Sequence, residues 1–263
     1  MTTRAGRANR ILLGGLALII LASLAAPVIS PYDPLAQTAE SLAPPDPAHL
    51  LGADLAGRDV WSRLLHGGAR TLSIAALSVA LSVLPGLVLG LVAGYFGGVL
   101  DAALTALFDT LLAIPGLLVA LAVVVLAGSG AAQIAVAVGL SGLASYARVV
   151  RSAVRAVLVL PYVEAARSLG AHPGGILLRH VLPNITRPLL AFAGVTLSWA
   201  IMSAAALHFL GFGGDPSAPE WGAMLAEGRQ VYRAAPWVAL APGLAITVTL
   251  LLVNGLAGRL SRD

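Results

Sequence analysis

Six apolar stretches, at roughly 11–29, 71–94, 103–127, 132–150, 186–210 and 237–257, leave this chain few solvents to fold in. A helix needs roughly 20 apolar residues to cross about 30 Å of hydrocarbon, and each stretch is about that long. With 58% hydrophobic and 11% charged residues, too little polar surface remains to cover a water-soluble globule. The expected fold is all-α: a polytopic helical membrane protein of about six transmembrane helices, forming a single domain over 1–263. The first stretch follows Arg4, Arg7 and Arg10 and ends in small residues, as a signal peptide would. Its length and the five stretches after it favour an uncleaved first helix.

Orientation follows from the basic residues. All 16 are Arg, and positive charge concentrates on the cytoplasmic side of inner-membrane proteins. With the N-terminus inside, six spans also return the C-terminus inside. Arg4, Arg7, Arg10, Arg148, Arg151, Arg155, Arg167, Arg179, Arg187, Arg259 and Arg262 then lie at the cytoplasmic face. Only Arg58, Arg63, Arg70, Arg229 and Arg233 lie outside, among eight acids, which makes the outer segments net negative by three. The chain divides into a cytoplasmic tail at 1–10, an outer loop at 31–70, a cytoplasmic loop at 151–185 and an outer loop at 211–236. The net charge of +4 is thereby placed at the membrane face, so nucleic-acid binding is not needed to explain it. The first outer loop is rich in Pro up to Pro47, and a helix is expected to begin near Asp59.

Two residue types are missing, and each absence excludes a class of chemistry. Without Cys there are no disulfides or thiolate metal sites. Without Lys there is no standard phosphate-binding P-loop, whose Lys reaches the β- and γ-phosphates. ATP-driven work would require a separate polypeptide.

The one long basic, amphipathic interruption is PYVEAARSLGAHPGGILLRHVLP, residues 161–183. From Pro161 the pattern predicts a short helix with Val163, Ala166, Leu169 and Gly170 near one face and Glu164 and Arg167 available for pairing. Gly170 can turn the chain. Pro173 suits the first turn of a second helix capped by His172, and Ile176, Leu177, Val181 and Leu182 give that helix apolar contacts. Read alone, the segment is equally a surface hairpin snorkelling its Arg side chains at the headgroups.

Glu164, Ala165, Ala166, Gly170, Leu182 and Pro183 resemble the "EAA" loop of bacterial ABC importer permeases. Further similarity lies in HLLGADLAGRDVWSRLLHGGARTL (49–72), AGYFGGVLDAAL (93–104), YARVVRSAV (146–154), FLGFGGDPSAPEWGAMLAEGR (209–229) and APWVALAPGLAITVTLLLVNGLAGRL (235–260). In order and nearly throughout, the chain resembles the C-type permease of dipeptide, oligopeptide and nickel importers, although His180 stands where that family often has Ile. The resemblance implies a type I ABC importer permease-like fold and a bacterial inner-membrane location. It implies translocation of di- or oligopeptides, or of nickel as a chelate, by alternating access. Glu164, Ala165, Ala166, Arg167, Gly170, Leu182 and Pro183 would then form the ATPase-coupling loop. The implied partners are a second homologous permease, two ABC ATPase subunits and an extracytoplasmic substrate-binding protein, within the lipid bilayer. ATP and Mg would be bound by the ATPase subunits and no cofactor by this chain, a transport subunit and not an enzyme.

Ionisable groups within spans point to a translocation path. Asp101 and Asp109 stand at the start of the third span, with Asp109 expected to be the more buried and to face the bundle; a helix-dipole contact would explain either. His208, near the outer end of the fifth span, is a candidate to line the path or touch a metal in passage, though a packed, hydrogen-bonded His is the commoner case. His49 and His66 complete no obvious site. Gly86, Gly90 and Gly94 flatten one face of the second span, for which packing inside one subunit is favoured over a pore role. Pro115 and Pro242 interrupt spans and are candidate bends. A proton-coupled secondary transporter would place charged relays in mid-span and show internal repeats, neither of which is clear here. A structural or assembly membrane protein is the remaining alternative.

Overall fold

The computed structural model describes residues 2–261, with the side chains of all of these except residues 2–6 and 8. Arg262 and the side chain of Arg4 lie outside the described residues. The order is α1 (Thr2–Leu24), α2 (Ala26–Ile29), α3 (Val60–Phe96), α4 (Gly98–Leu112), α5 (Gly116–Ala127), α6 (Ala131–Leu158), α7 (Pro161–Ser168), α8 (Pro173–Ile176), a π-helical turn (Leu177–Val181), α9 (Leu182–Phe209), α10 (Trp221–Val231) and α11 (Pro236–Leu260).

Among the described residues, four segments are long and apolar enough to cross a bilayer: Val60–Phe96, Ala131–Leu158, Pro173–Phe209 and Pro236–Leu260. Two of the six expected spans take another form. The third is not one helix but α4 and α5, bent by 85° at a short break. Pro115 sits in that break and has no N–H to donate to the carbonyl of Leu111. At the first, the apolar part of α1, Asn9–Leu24, is shorter than a span and is followed by α2, so that four helices, or five with the bent pair, and not six, are long enough to cross among the described residues. Pro27 removes the donor that would have continued α1 past Ala25. Pro242, by contrast, lies inside an unbroken α11.

The helix α3 begins where the pattern predicts. Asp59 caps it, its carboxylate accepting from the Ser62 amide at 2.7 Å and the Ser62 hydroxyl at 2.7 Å. The long contact between α3 and α6 forms the spine of the bundle. Lipid is as apolar as Leu, so this contact depends on close packing rather than on water exclusion. The glycine stripe provides it: a Cβ at Gly90 would sit 2.5 Å from the Ala147 carbonyl oxygen and 2.6 Å from the Val150 Cβ, and one at Gly94 would sit 2.8 Å from the Val154 Cβ. The stripe is thus occupied within the subunit.

The bundle has two dissimilar ends. At one, residues 31–59 fold over the start of α3 and against α10 and α11, with the indole N–H of Trp237 donating to the Ala53 carbonyl at 3.2 Å. At the other, α7 and α8 pack on α6 and α9 through Val154, Val157, Val163, Ile176, Val181 and Ile185.

Candidate functional site

The 161–183 segment is built around one buried anchor. Val163 is fully buried against α6 and the α8–α9 region, while Glu164, Ala165 and Arg167 are exposed and Ala166 is half-buried. Neither Glu164 nor Arg167 makes an ion pair among the described residues, and both stand on the exposed face of α7. Leu169 does not share the face of Val163: it is 89% exposed. Six residues along a helix with 3.6 per turn place a side chain about 120° away, so an apolar side chain is left at the tip of the loop.

Gly170 makes the turn. Its φ is +79°, its amide donates to the Arg167 carbonyl at 3.0 Å, and the Ala171 amide donates to the Ala166 carbonyl at 3.1 Å. These two bonds close α7 as a Schellman motif, which needs a left-handed residue where Gly170 stands. His172 then caps α8, Nδ1 accepting from the Gly174 amide at 3.2 Å, with Pro173 in the first turn as expected.

The second helix of the loop is not a separate short element. α8 runs through the π turn into α9, giving a single rod from Pro173 to Phe209. The π turn falls just before Pro183, which cannot donate to the Arg179 carbonyl, and the Leu182 amide reaches back to Leu177 instead. Asn184 Nδ2 donates to the His180 carbonyl at 2.6 Å. Leu182 is half-buried and Pro183 exposed at this junction. The part of the loop after Gly170 is thus continuous with a span.

The expected path residues part company. Asp101, not Asp109, is the buried carboxylate: it accepts from Arg151 Nε at 2.5 Å and Nη2 at 2.8 Å and from Arg155 at 2.6 Å, which ties the start of α4 to the end of α6. Asp109, two turns on, is exposed and pairs with the equally exposed Arg148. His208 is buried, its Nδ1 2.9 Å from the Ala204 carbonyl and 3.6 Å from a Glu220 carboxylate oxygen, with Gly213 closing over the ring. That is a packed His at the end of α9. No group of three His, Cys, Asp or Glu able to hold a metal occurs among the described residues.

Three features were not legible in the sequence. At the 31–59 end, Arg63 is fully buried between Glu227, at 3.1 Å, and Asp54, at 3.2 Å, and Arg58 bonds both carboxylates at 3.0 and 2.7 Å. Burial pushes the Glu227 carboxyl above its ordinary value, against the pull of Arg63 and Arg58. His49 pairs with the capping Asp59 at 3.0 Å and stacks on Tyr32. Glu220 is the third: it caps α10 through the Gly222 and Ala223 amides and accepts from the Thr71 hydroxyl at 2.6 Å, joining α3 to α10. The Asp54 to Arg58 spacing was the only visible hint.

Comparison with known proteins agrees with this architecture. The chain is similar to the di/tripeptide transport system permease protein DppC of Pseudomonas aeruginosa, 40% identical over 256 residues that cover 94% of this chain and 84% of that one. It is similar to the glutathione transport system permease protein GsiD of Pectobacterium atrosepticum, 39% identical over 80% of this chain and 70% of the relative. The GsiD protein of Shigella flexneri is 41% identical over 90% of this chain and 79% of its own length. The family described as binding-protein-dependent transport system inner membrane component matches residues 86–263. By that match and the identity with these relatives, the chain belongs to that family: it is a multi-pass inner-membrane permease subunit of an ABC importer, a transport component and not an enzyme.

Proposed function

We propose that the chain forms one half of the membrane path of an importer for di- and oligopeptides. The named substrates of its relatives support the peptide class: di/tripeptides for one and glutathione, itself a tripeptide, for the others. Nickel, the other substrate class suggested by the sequence, gains no such support. The other half of the path would come from a second, homologous permease. Two ATPase subunits, carrying ATP and Mg, would dock at 161–183, and an extracytoplasmic binding protein would deliver its load to the 31–59 and 211–236 end. On this reading both termini are cytoplasmic, which the Arg distribution supports.

The continuity of α8, the π turn and α9 is the observation that carries the mechanism. When ATP closes the ATPase dimer, the groove holding α7 moves. Val163 and the Schellman turn make α7 and α8 follow together, and the rod, roughly 55 Å long at 1.5 Å per residue, swings its far end against α10. The π turn and Pro188 are where that rod can flex. Hydrolysis lets the assembly return.

The test is uptake of labelled peptides into vesicles holding the complete complex and its loaded binding protein. ATP-dependent accumulation of di- or tripeptides is expected. Accumulation of nickel chelates with no peptide uptake would overturn the peptide assignment, and accumulation independent of ATP but dependent on a proton gradient would overturn the importer mechanism.

A further inference from the structure

The break between α4 and α5 lies beside the middle of α6 and α9. It contacts Gly116, Ser141 and Trp199: a Cβ at Gly116 would lie 3.0 Å from the Trp199 ring and 3.9 Å from the Ser141 Cβ. Ser141 is ten residues into α6 from Ala131, and Trp199 ten residues from the end of α9 at Phe209. Each is therefore about 15 Å from the same end of the bundle, near the middle of about 30 Å of hydrocarbon. At this depth the backbone is under-bonded. Pro115 has no N–H, the α5 N-terminus has no side-chain cap, and the amides of Ile114, Gly116 and Leu117 find no acceptor among the described residues. Irregular backbone of this kind does not face lipid; it persists only against protein or water.

Two further observations point to water. A cavity of about 320 Å³ opens at the break, lined by Leu112, Ser141, Ser145, Thr196 and Trp199 among others. The Ser145 hydroxyl and the Trp199 indole N–H have no hydrogen-bond partner among the described residues. Ser141, Ser145 and Arg148 follow one face of α6 at i, i+4 and i+7. Asp109, one turn before Leu112, meets Arg148 there, and both are about half exposed. Arg148 is 17 residues along α6 from Ala131, about 25 Å from that end, so the pair closes the stripe near the 161–183 end of the span.

We infer that the α4–α5 elbow, with Ser141, Ser145, Thr196 and Trp199, faces water and is this chain's wall of the translocation path, offering hydrogen bonds to the amide groups of a passing peptide. The stripe continues towards the 161–183 end through the Asp109–Arg148 pair. α9 supplies Thr196 and Trp199 and is also the rod driven by the coupling loop, so movement of the loop changes the width of this cavity. The inference rests on the importer reading for what passes the wall, but not for the wall being wet.

The natural absence of Cys allows a direct test. Single variants Ser141→Cys, Ser145→Cys, Leu84→Cys and Leu251→Cys are made, with Ser41→Cys as an accessible control. Each is assembled with its partners in vesicles and exposed to a charged methanethiosulfonate in nucleotide-free and vanadate-trapped states. Only a thiolate reacts, and hydrocarbon suppresses both the thiolate and the reagent. Ser145→Cys and Ser141→Cys are expected to react at least about tenfold faster than Leu84→Cys and Leu251→Cys in one of the two states. Excess tripeptide should slow that reaction. Labelling at 141 and 145 as slow as at 84 and 251 in both states, in complexes that retain their ATPase subunits and label at 41, would overturn the inference. Fast labelling at 141 and 145 with no protection by tripeptide would keep the wet wall and refute the peptide contact. Failure of peptide uptake by the unsubstituted complex would instead count against the proposed substrate, and leave the labelling result standing.

Discussion

Replacing Arg63 with Met should open the 31–59 cap without removing the spans. The guanidinium is fully buried, 3.1 Å from Glu227 and 3.2 Å from Asp54. Met keeps much of the volume but leaves two carboxylates facing each other in a desolvated site. Removing one partner of a buried ion pair costs about 3–5 kcal/mol. Here the lower end applies, because Glu227 retains a quarter of its exposure and Arg58 still bonds both carboxylates. A loss of about 3 kcal/mol multiplies the open population roughly a hundredfold, at 1.4 kcal/mol per factor of ten. Cleavage within 31–59 by a protease added to the outer face reports that population while reclosing is faster than cutting. Arg63→Met with Glu227→Gln should recover much of the loss, since the unpaired charge is then gone. The sign of the pH dependence follows from burial. The folded Glu227 carboxyl lies above the ordinary 4.5, so between that value and its raised one the folded state binds more protons. Stability therefore falls as pH rises through the window and is flat above it. Losing Arg63 removes a pull downward on that pKa and stretches the window upward. A cleavage rate within about threefold of the unsubstituted protein, or one independent of pH in this window, would refute the reasoning.

Gly90→Ala should loosen the spine of the bundle: its Cβ would lie 2.5 Å from a backbone oxygen that cannot rotate away, an overpacking cost of about 1–3 kcal/mol that exceeds a helix-propensity gain of up to about 1 kcal/mol. Gly258→Ala, which meets nothing within 4 Å, is the neutral comparison, and the fraction still monodisperse after heating in detergent reads the difference. At Gly170 there is room for a side chain but not for its conformation, so Gly170→Ala should cost about 1–2 kcal/mol at the turn and Gly170→Asn less. Gly170→Pro also deletes the amide bonded to Arg167, and should leave the spans inserted while the ATPase subunits no longer co-purify; unchanged recovery of those subunits would contradict the role given to the turn.

Of the six expected crossings, hydropathy located four as single helices and a fifth as the bent α4–α5 pair, because length and apolarity are properties of one segment. It was blind to direction, which is a property of pairs. The third span read as one stretch because Ala113, Ile114 and Gly116 are as apolar as their neighbours, and Pro115, extended at the 85° elbow, reads no differently from Pro85, Pro188 and Pro242, which lie inside helices that run on. The same blindness exchanged Asp101 and Asp109: burial was decided by Arg151 and Arg155 on α6, fifty residues away in sequence. Asp54, Arg63 and Glu227 entered the sequence argument only as charges to be counted by side, although together they lock the cap. Local signals fared better. Asp59 before Ser62, Gly170 after a short helix, and His172 before Pro173 each act within a few residues, and each stands where the pattern placed it. The junction of α8 with α9 was not visible because the basic 161–183 segment and the apolar 186–210 stretch differ in composition, whereas a π turn joins them and the helix runs on through Pro188.

The central claim is that 161–183 transmits the state of the ATPase to the spans. The most direct measurement is stimulation of ATP hydrolysis by the loaded binding protein, in vesicles reconstituted with all subunits, for the Glu164→Ala and Ala166→Trp variants. Glu164 is exposed and makes no ion pair among the described residues, so it is free to meet a basic group of the ATPase groove through a charge-assisted bond worth about 1–3 kcal/mol. Ala166 is half-buried on the same helix, and Trp there would set a bulky side chain at the docking face. Both variants are expected to keep the complex in the membrane and to retain basal hydrolysis while losing stimulation and uptake. Stimulation equal to that of the unsubstituted complex in both variants would show that this loop is not the transmission contact.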